Sequence, residues 1–250
     1  MSTFYIKNDQ IDDDKIYILG EDVKHIKNVL RYKIGDVLDI CDESGTRYKT
    51  KIDDFDNNKI KLKIIEISSE TTEPNINVTL FQGLPKSDKM DMIIQKCTEL
   101  GIKEIVPVIM DRVIIKLDEK NEAKKQERWQ KIAKEASKQS GRQVVPIIQN
   151  ATNLKNIIEN LSKYDIVIVP YECEKDHMLK KVLQNGENKF KNIAIIIGPE
   201  GGFSDDDIKI LSKCKNLTKV SLGARILRTE TAGFATLAMI MYELDSWFYK

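Results

Sequence analysis

A glycine-rich loop follows a run of apolar residues near the carboxyl end of the sequence, in IIIGPEGGFSDDDI at 195–208. A strand, a glycine loop and a helix start in this order commonly bind phosphate, because backbone N–H groups and the helix dipole attract an anion. This loop instead carries Glu200 between its glycines, and Asp205, Asp206 and Asp207 directly after them. Four acidic groups disfavour phosphate, so we predict a neutral or cationic small molecule held partly by backbone groups.

Two further loops follow predicted strands in the last third of the chain. PYECEKD (170–176) follows the apolar run 166–169, and GARILRTET (223–231) follows 217–222. Ligands of open α/β sheets bind beyond the carboxyl ends of strands, so these three loops form one rim if their strands are neighbours. Tight turns explain the glycines of the first loop equally well. The charged residues of 223–231 favour a binding site.

Other catalytic arrangements have little support in the sequence. It contains neither GxxxxGK[ST] nor GxGxxG, which argues against ATP-driven enzymes and common dinucleotide enzymes. His25 and His177 are the only histidines, and no GxSxG motif is present. Cys173 lies four residues before His177, but without further Cys or His nearby the pair does not indicate zinc. We therefore predict no metal site.

Composition places the chain among globular proteins of one or two domains. It has 250 residues, 41% of them hydrophobic and 32% charged, and a net charge of +1. Residues 111–142 hold 10 basic and 6 acidic groups, so a polyanion should prefer that region. The four cysteines are dispersed, and no apolar run approaches the ~20 residues of a membrane span. These features predict a reduced, cytoplasmic protein.

The pattern of predicted secondary structure changes near residue 72. Residues 1–72 read as short strands between polar turns, interrupted by one helix at 21–31 with Val23, Ile26, Val29 and Leu30 on one face, which suggests a small β-barrel. Residues 68–75 are polar and read as a linker.

Strands and helices alternate from residue 76 onward. Predicted strands include 76–83, 104–109, 165–170, 193–198 and 217–223. Predicted helices lie between them, and this order indicates an α/β domain with a mostly parallel sheet covered on both faces. The last helix, 231–244, is apolar almost all round, which predicts burial on both sides, in the core or at a subunit interface.

Several segments of the sequence resemble a known family. IIIGPEGGFS (195–204) and LGARILRTETA (222–232) are similar to signatures of the ribosomal RNA small subunit methyltransferase E family, within the SPOUT class. HIKNVLRYKIGD (25–36), GLPKSDKMDMIIQKCTELGI (83–102) and ERWQKIAKEASKQSGRQVVP (127–146) resemble its other signatures, so the likeness covers nearly the whole chain. Ser87 stands where many members have glycine, and Thr3 where many have arginine.

The resemblance implies a specific activity. The family transfers a methyl group from S-adenosyl-L-methionine to N3 of one uridine in 16S rRNA of the assembled small ribosomal subunit. It implies a PUA-like, RNA-binding β-barrel at 1–72 and a SPOUT methyltransferase domain at 73–250 with a C-terminal trefoil knot, working as a homodimer. The ligand of the glycine loop is then a sulfonium cation with an adenine.

Site residues follow from the matching motifs. The resemblance assigns the cofactor to Tyr171, Glu172, Gly198, Pro199, Glu200, Gly201, Gly202, Leu222, Gly223, Ile226, Leu227, Arg228 and Thr229. It assigns RNA contacts to Arg31, Arg112, Arg128 and Arg142.

Methylation of uracil N3 requires loss of the imide proton, by a general base or by stabilisation of the anion that develops. We expect Arg228 and Glu230 to be catalytic, with Glu200 as another candidate base and Arg225 as another anion stabiliser. A helix-cap carboxylate and phosphate-contacting or loop-bracing arginines explain these residues as well. Another SPOUT enzyme that acts on a different nucleoside, or a non-catalytic RNA-binding protein of ribosome assembly, remains open.

Overall fold

A computed structural model describes residues 3–56, 58–86, 88–113, 119–186 and 189–245. The chain forms two compact units: unit 1 contains Met1–Glu73 and Ser137–Val144, and unit 2 contains Pro74–Ala136 and Val145–Lys250. The sequence predicts one boundary after residue 72, with 137–144 in the second domain. The structure instead joins that segment to unit 1. Ser87 lies outside the described residues.

Unit 1 is built on a six-stranded sheet with the order β1-β4-β5-β6-β3-β2. Its strands are β1 Thr3–Tyr5, β2 Ile11–Asp12, β3 Lys15–Leu19, β4 Val37–Cys41, β5 Arg47–Phe55 and β6 Lys59–Ser68. All neighbours are antiparallel except β1 and β4. Alternate residues such as Ile16, Ile18, Ile60 and Leu62 are buried in its core, as the period of two requires for a sheet with one buried face.

The helix of unit 1 has an irregular second turn. Helix α1, Glu21–Lys24, continues as a π-helical turn over His25–Val29. The Leu30 N–H donates to the His25 carbonyl, so this turn holds one more residue than an α-helical turn. The extra residue rotates Val29 away from the apolar stripe, and Val29 is 66% exposed. The prediction that Val29 shares one face with Val23, Ile26 and Leu30 is therefore wrong.

Unit 2 is built on a seven-stranded parallel sheet. Six strands have the order β10-β8-β7-β12-β11-β13, and β9 also pairs with β8. They are β7 Asn77–Gly83, β8 Glu104–Ile109, β9 Ile147–Ile148, β10 Thr152–Asn153, β11 Ile166–Pro170, β12 Asn192–Ile197 and β13 Leu217–Val220.

Helices cover both faces of this sheet, as predicted. They are α2 Lys89–Glu99, α3 Glu119–Ser140, α4 Leu154–Ile158, α5 Leu179–Asn185, α6 Asp205–Leu211 and α7 Thr229–Leu244. Ile195 of β12 packs in one core with residues of α2, α3, α5 and α7, and its neighbour Ile196 packs in a second core with residues of α4 and α6. The strands are nearly continuous apolar runs because both of their faces are buried.

The last helix buries one face and leaves part of the other uncovered. Leu237, Ile240 and Met241 of α7 lie in the core of unit 2, whereas Met239 is 42% exposed and Tyr242 is exposed as well. The predicted dimer contact through α7 stays a prediction. Among the described residues, no helix combines the length and the apolar character needed to cross a bilayer.

Candidate active site

The strand order of unit 2 brings the three predicted loops together. β11 pairs with β12 on one side and with β13 on the other, so the chain leaves all three strands at the same edge of the sheet. The loops surround a cleft of 590 Å³, a size that suits a nucleoside-sized ligand. Because the three strands are neighbours, their loops form one rim, as predicted.

The cleft gathers most of the predicted site. All thirteen residues assigned to the cofactor line it, together with Lys89, Pro170, Ile197, Phe203, Ser221, Ala224, Arg225 and Ala232. Glu230 lies beside the cleft, at the second position of α7, and is 8% exposed. Within the described residues, no cluster of three or more His, Cys, Asp or Glu side chains is arranged to hold a metal ion.

The glycine loop after β12 is held by hydrogen bonds to its backbone. The Gly202 N–H donates to the Pro199 carbonyl over 2.9 Å, closing a turn in which Gly202 has a φ of +67°. The Arg112 guanidinium donates to the Gly201 carbonyl over 2.8 Å. The Thr229 hydroxyl donates to the Gly198 carbonyl over 2.6 Å, which ties the loop to the first residue of α7.

The carboxyl end of strand β7 packs against the same loop. Gln82 is fully buried, and its amide donates to the Thr229 hydroxyl at 2.9 Å and to the Gly83 carbonyl at 3.0 Å. A Cβ on Gly83 would lie 2.6 Å from the Pro199 nitrogen and 2.9 Å from the Gly198 carbonyl carbon. Glycine at position 83 therefore permits β7 and the loop to approach closely. No local sequence pattern indicates a site role for Gln82 or Gly83.

A lysine connects the two acidic residues of the site. Lys89 Nζ lies 3.1 Å from Glu200 Oε1 and 3.3 Å from Glu230 Oε2, the second without the geometry of a hydrogen bond. Burial alone would raise the pKa of Glu200, but the Lys86 N–H at 2.9 Å and the Lys89 ammonium outweigh it and lower that pKa. The hydrogen bond to Glu200 chiefly raises the pKa of Lys89. Glu200 and Lys89 are therefore both charged at neutral pH.

The loop after β13 closes the opposite side of the cleft. Gly223 has a φ of +123°, a conformation that side chains rarely tolerate, and its N–H donates to the Ser221 hydroxyl at 3.3 Å. The Tyr171 N–H donates to the Val220 carbonyl, and Lys219 Nζ lies 5.1 Å from the centroid of the Tyr171 ring. Arg228 and residues 223–226 are exposed and line the cleft.

The aspartates after the glycine loop begin a helix. The Asp207 N–H donates to the Ser204 hydroxyl, and the Asp207 carboxylate accepts from the Ser204 N–H, which forms a capping box at the start of α6. Ser204 is therefore the N-cap of α6. These carboxylates stabilise the first helical turn, where the dipole favours anions.

The four arginines assigned to RNA lie in different surroundings. Arg112 binds the Gly201 carbonyl, and Arg128 forms an ion pair with Asp91. Arg142 is buried, and its guanidinium binds the Glu73 carboxylate through Nε and Nη2. Arg31 is exposed, with a φ of +56°. The RNA contacts stay predictions, and Arg142 is only 6% exposed, with its guanidinium paired to Glu73.

Comparison with protein families matches both parts of the chain. Residues 72–241 match the RNA methyltransferase domain family, and residues 18–65 match the RNA methyltransferase PUA domain family. The predicted fold class, an α/β SPOUT domain with a small PUA-like β-domain, is therefore confirmed. The trefoil knot stays a prediction.

Individual relatives are similar over almost their whole length. Ribosomal RNA small subunit methyltransferase E of Bacillus subtilis is 35% identical over 98% of both chains, and that of Aquifex aeolicus is 33% identical over 90% of this chain and 94% of its own.

Solved structures show the same likeness. The Neisseria gonorrhoeae enzyme of the same name, bound to S-adenosyl methionine, has a TM-score of 0.82 at 28% identity over 96% of this chain and 97% of its own. The chain belongs to the ribosomal RNA small subunit methyltransferase E family.

Proposed function

We propose that the protein transfers a methyl group from S-adenosyl-L-methionine to N3 of a specific uridine in 16S rRNA, within the assembled small ribosomal subunit. The observation that carries the proposal is the cleft itself, since every residue assigned to the cofactor lines it. Membership of the methyltransferase family supports the reaction class, and the Neisseria relative was solved with this cofactor.

The residues of the cleft fit a sulfonium-bearing nucleoside. Glu200 is kept ionised by its partners, but Lys89, Arg225 and Arg228 line the same cleft, so the lining as a whole is not acidic and the fit rests on its backbone groups. The backbone at Gly202 and Gly223 has open space where a side chain would begin, so a ligand can approach these peptide groups closely. We assign ligand contacts to the backbone of 198–202 and 222–229.

S-adenosylmethionine supplies an electrophilic methyl group when bound. The chain must then align uracil N3 with it and accept the imide proton of the base. We assign proton acceptance to Glu230, since its Oε2 atom accepts no hydrogen bond from the described residues, whereas Glu200 Oε1 already accepts from the Lys86 N–H. Arg228, which is exposed and lines the cleft, would stabilise the negative charge that develops on the uracil oxygens.

The ribosomal substrate fits the distribution of charge along the chain. A net charge of +1 gives little general attraction to RNA, whereas residues 111–142 carry a local excess of basic groups. Recognition of naked RNA should therefore be weak, and the assembled subunit would supply the remaining contacts. A cytoplasmic homodimer is the expected working form.

The test is methyl transfer to purified substrates. Small subunits from a strain that lacks the endogenous enzyme are incubated with protein and labelled S-adenosylmethionine, and nucleosides from the digested 16S rRNA are identified by mass spectrometry. We expect 3-methyluridine at one position, and little product with naked 16S rRNA. A different methylated nucleoside would indicate another SPOUT activity. Absence of cofactor binding in calorimetry would favour a non-catalytic RNA-binding protein.

A further inference from the structure

Lys89 occupies a position that its own helix does not favour. It is the first residue of α2, where the positive end of the helix dipole repels a cation. Its ammonium group points instead to two carboxylates that are 111 and 141 residues away in the sequence, those of Glu200 and Glu230. Interactions inside α2 therefore do not account for a lysine here, whereas the two carboxylates do.

Lys89 compensates the charge of Glu230 together with the positive end of α7, in whose first turn Glu230 lies. The residue is 8% exposed, and its Oε2 atom is buried without a hydrogen-bond partner in the described residues, with Lys89 Nζ at 3.3 Å. A buried carboxylate that loses its cation is strongly unfavourable. Glu200 is less dependent, because its Oε1 also accepts from the Lys86 N–H.

The two carboxylates belong to different walls of the cleft. Glu200 lies in the glycine loop after β12, and Glu230 lies in the first turn of α7, directly after the loop that contains Gly223 and Arg228. A single ammonium group in contact with both links these walls a second time, beside the hydrogen bond from Thr229 to the Gly198 carbonyl. Without it, two like charges would face one another across the site.

We propose that Lys89 is a positioning residue of the site: its ammonium group holds the Glu200 carboxylate of the glycine loop and the Glu230 carboxylate of α7 together, so that both walls of the cleft are in place before the ligand binds. The proposal deepens the proposed function and rests on it for the identity of the ligand. The arrangement of the walls without ligand is independent of that identity.

The experiment compares Lys89→Met, Lys89→Arg and the control Lys96→Met. Lys96 lies on the same helix but pairs only locally with Glu99 in the described structure. In ligand-free protein, hydrogen exchange of the 198–204 amides should be faster in Lys89→Met and unchanged in the control. Calorimetry should show about tenfold weaker binding of S-adenosylmethionine by Lys89→Met (~1.4 kcal/mol). Lys89→Arg should recover most of both properties, because it restores the charge.

A double variant separates charge repulsion from general damage. Lys89→Met combined with Glu230→Gln removes the repulsion, so we expect slower loop exchange and tighter binding than in Lys89→Met alone, although one more group has been altered. This non-additivity is the signature of coupled neighbours. If the double variant is no better than Lys89→Met, or if Lys89→Met matches the wild type in loop exchange, the proposal is wrong.

The experiments distinguish a failure of the proposed function from a failure of the proposal for Lys89. A wild-type protein that binds no S-adenosylmethionine would refute the ligand, whereas the exchange measurements on ligand-free protein would still decide the role of Lys89. If Lys89→Met does not fold, the double variant and Lys89→Arg supply the same comparison. If the double variant then folds, repulsion between Glu200 and Glu230 is the cause of the damage in Lys89→Met, as proposed. If neither the double variant nor Lys89→Arg folds, the proposal is contradicted.

Discussion

The substitution Gly83→Ala tests how β7 supports the glycine loop. The new Cβ would lie 2.6 Å from the Pro199 nitrogen and 2.8 Å from its Cδ atom. Ordinary carbon contacts are about 3.5–4.0 Å, so the overlap is about 1 Å and involves backbone on both sides. β7 is held between β8 and β12, and therefore we expect the loop rather than the strand to move.

The expected cost follows from this overlap. Forcing one methyl group into a packed contact costs about 1–3 kcal/mol of unfolding free energy. A displacement of about 1 Å in a positioning loop lowers turnover by about 100-fold. Gly83→Ala should therefore lose cofactor affinity and methyl transfer far beyond what its loss of stability explains.

Calorimetry with S-adenosylmethionine and thermal unfolding are measured on the same preparations. Val78→Ala is the matched control, because Val78 is a fully buried residue of the same strand and touches the core rather than the loop. It should lose about 1–3 kcal/mol of stability and keep normal cofactor affinity. Wild-type affinity in Gly83→Ala, or an equal loss in Val78→Ala, would refute the reasoning.

Three further predictions concern other parts of the molecule. Glu73→Ala removes the partner of the buried Arg142 guanidinium and should destabilise unit 1 by about 3–5 kcal/mol in chemical denaturation, with a far smaller effect if Arg142 is also replaced by Met. Met239→Glu places a charge on the exposed part of α7 and should convert the expected dimer to monomer in analytical ultracentrifugation; a wild-type monomer with full activity at micromolar concentration would exclude the dimer. Burial alone would raise the pKa of Asp42, but hydrogen bonds from residues 44–48 outweigh this effect and lower that pKa. The stabilisation by the Asp42 carboxylate is therefore present above pH ~4 and is lost as the pH falls through the lowered folded-state pKa. Asp42→Asn should reduce the stability of the protein at pH 7 and flatten the dependence of that stability on acid.

Local sequence patterns determined most of the secondary structure. The predicted strand at 104–109 is β8, and the predicted helix at 231–244 differs from α7 by two residues at its start. Alternation of apolar residues and the placement of glycine, proline and capping residues depend on near neighbours, so such features can be read from short segments. The π turn at His25–Val29 is an exception, because an inserted residue leaves the local pattern of side chains unchanged while it rotates Val29 outward.

The approximate location of the site was also accessible from the sequence. Glycines and charged residues after three apolar strands predict loops at the carboxyl edge of a sheet, and these loops do line one cleft. Whether the loops meet depended on β11 lying between β12 and β13, which the order of strands along the chain does not state. The family signatures supplied the assignment to S-adenosylmethionine, which no local pattern supplies.

The supporting groups of the site were decided by tertiary structure alone. Gln82 and Lys89 read as an ordinary strand residue and an ordinary helix residue, and they gain their roles from contacts with Thr229, Glu200 and Glu230, more than 100 residues away. The sequence therefore determined which segments carry the chemistry, since backbone preference and burial are local properties. The packing of distant elements decided which charges meet, because the energy of an ion pair depends on separation in space and on burial, not on separation along the chain.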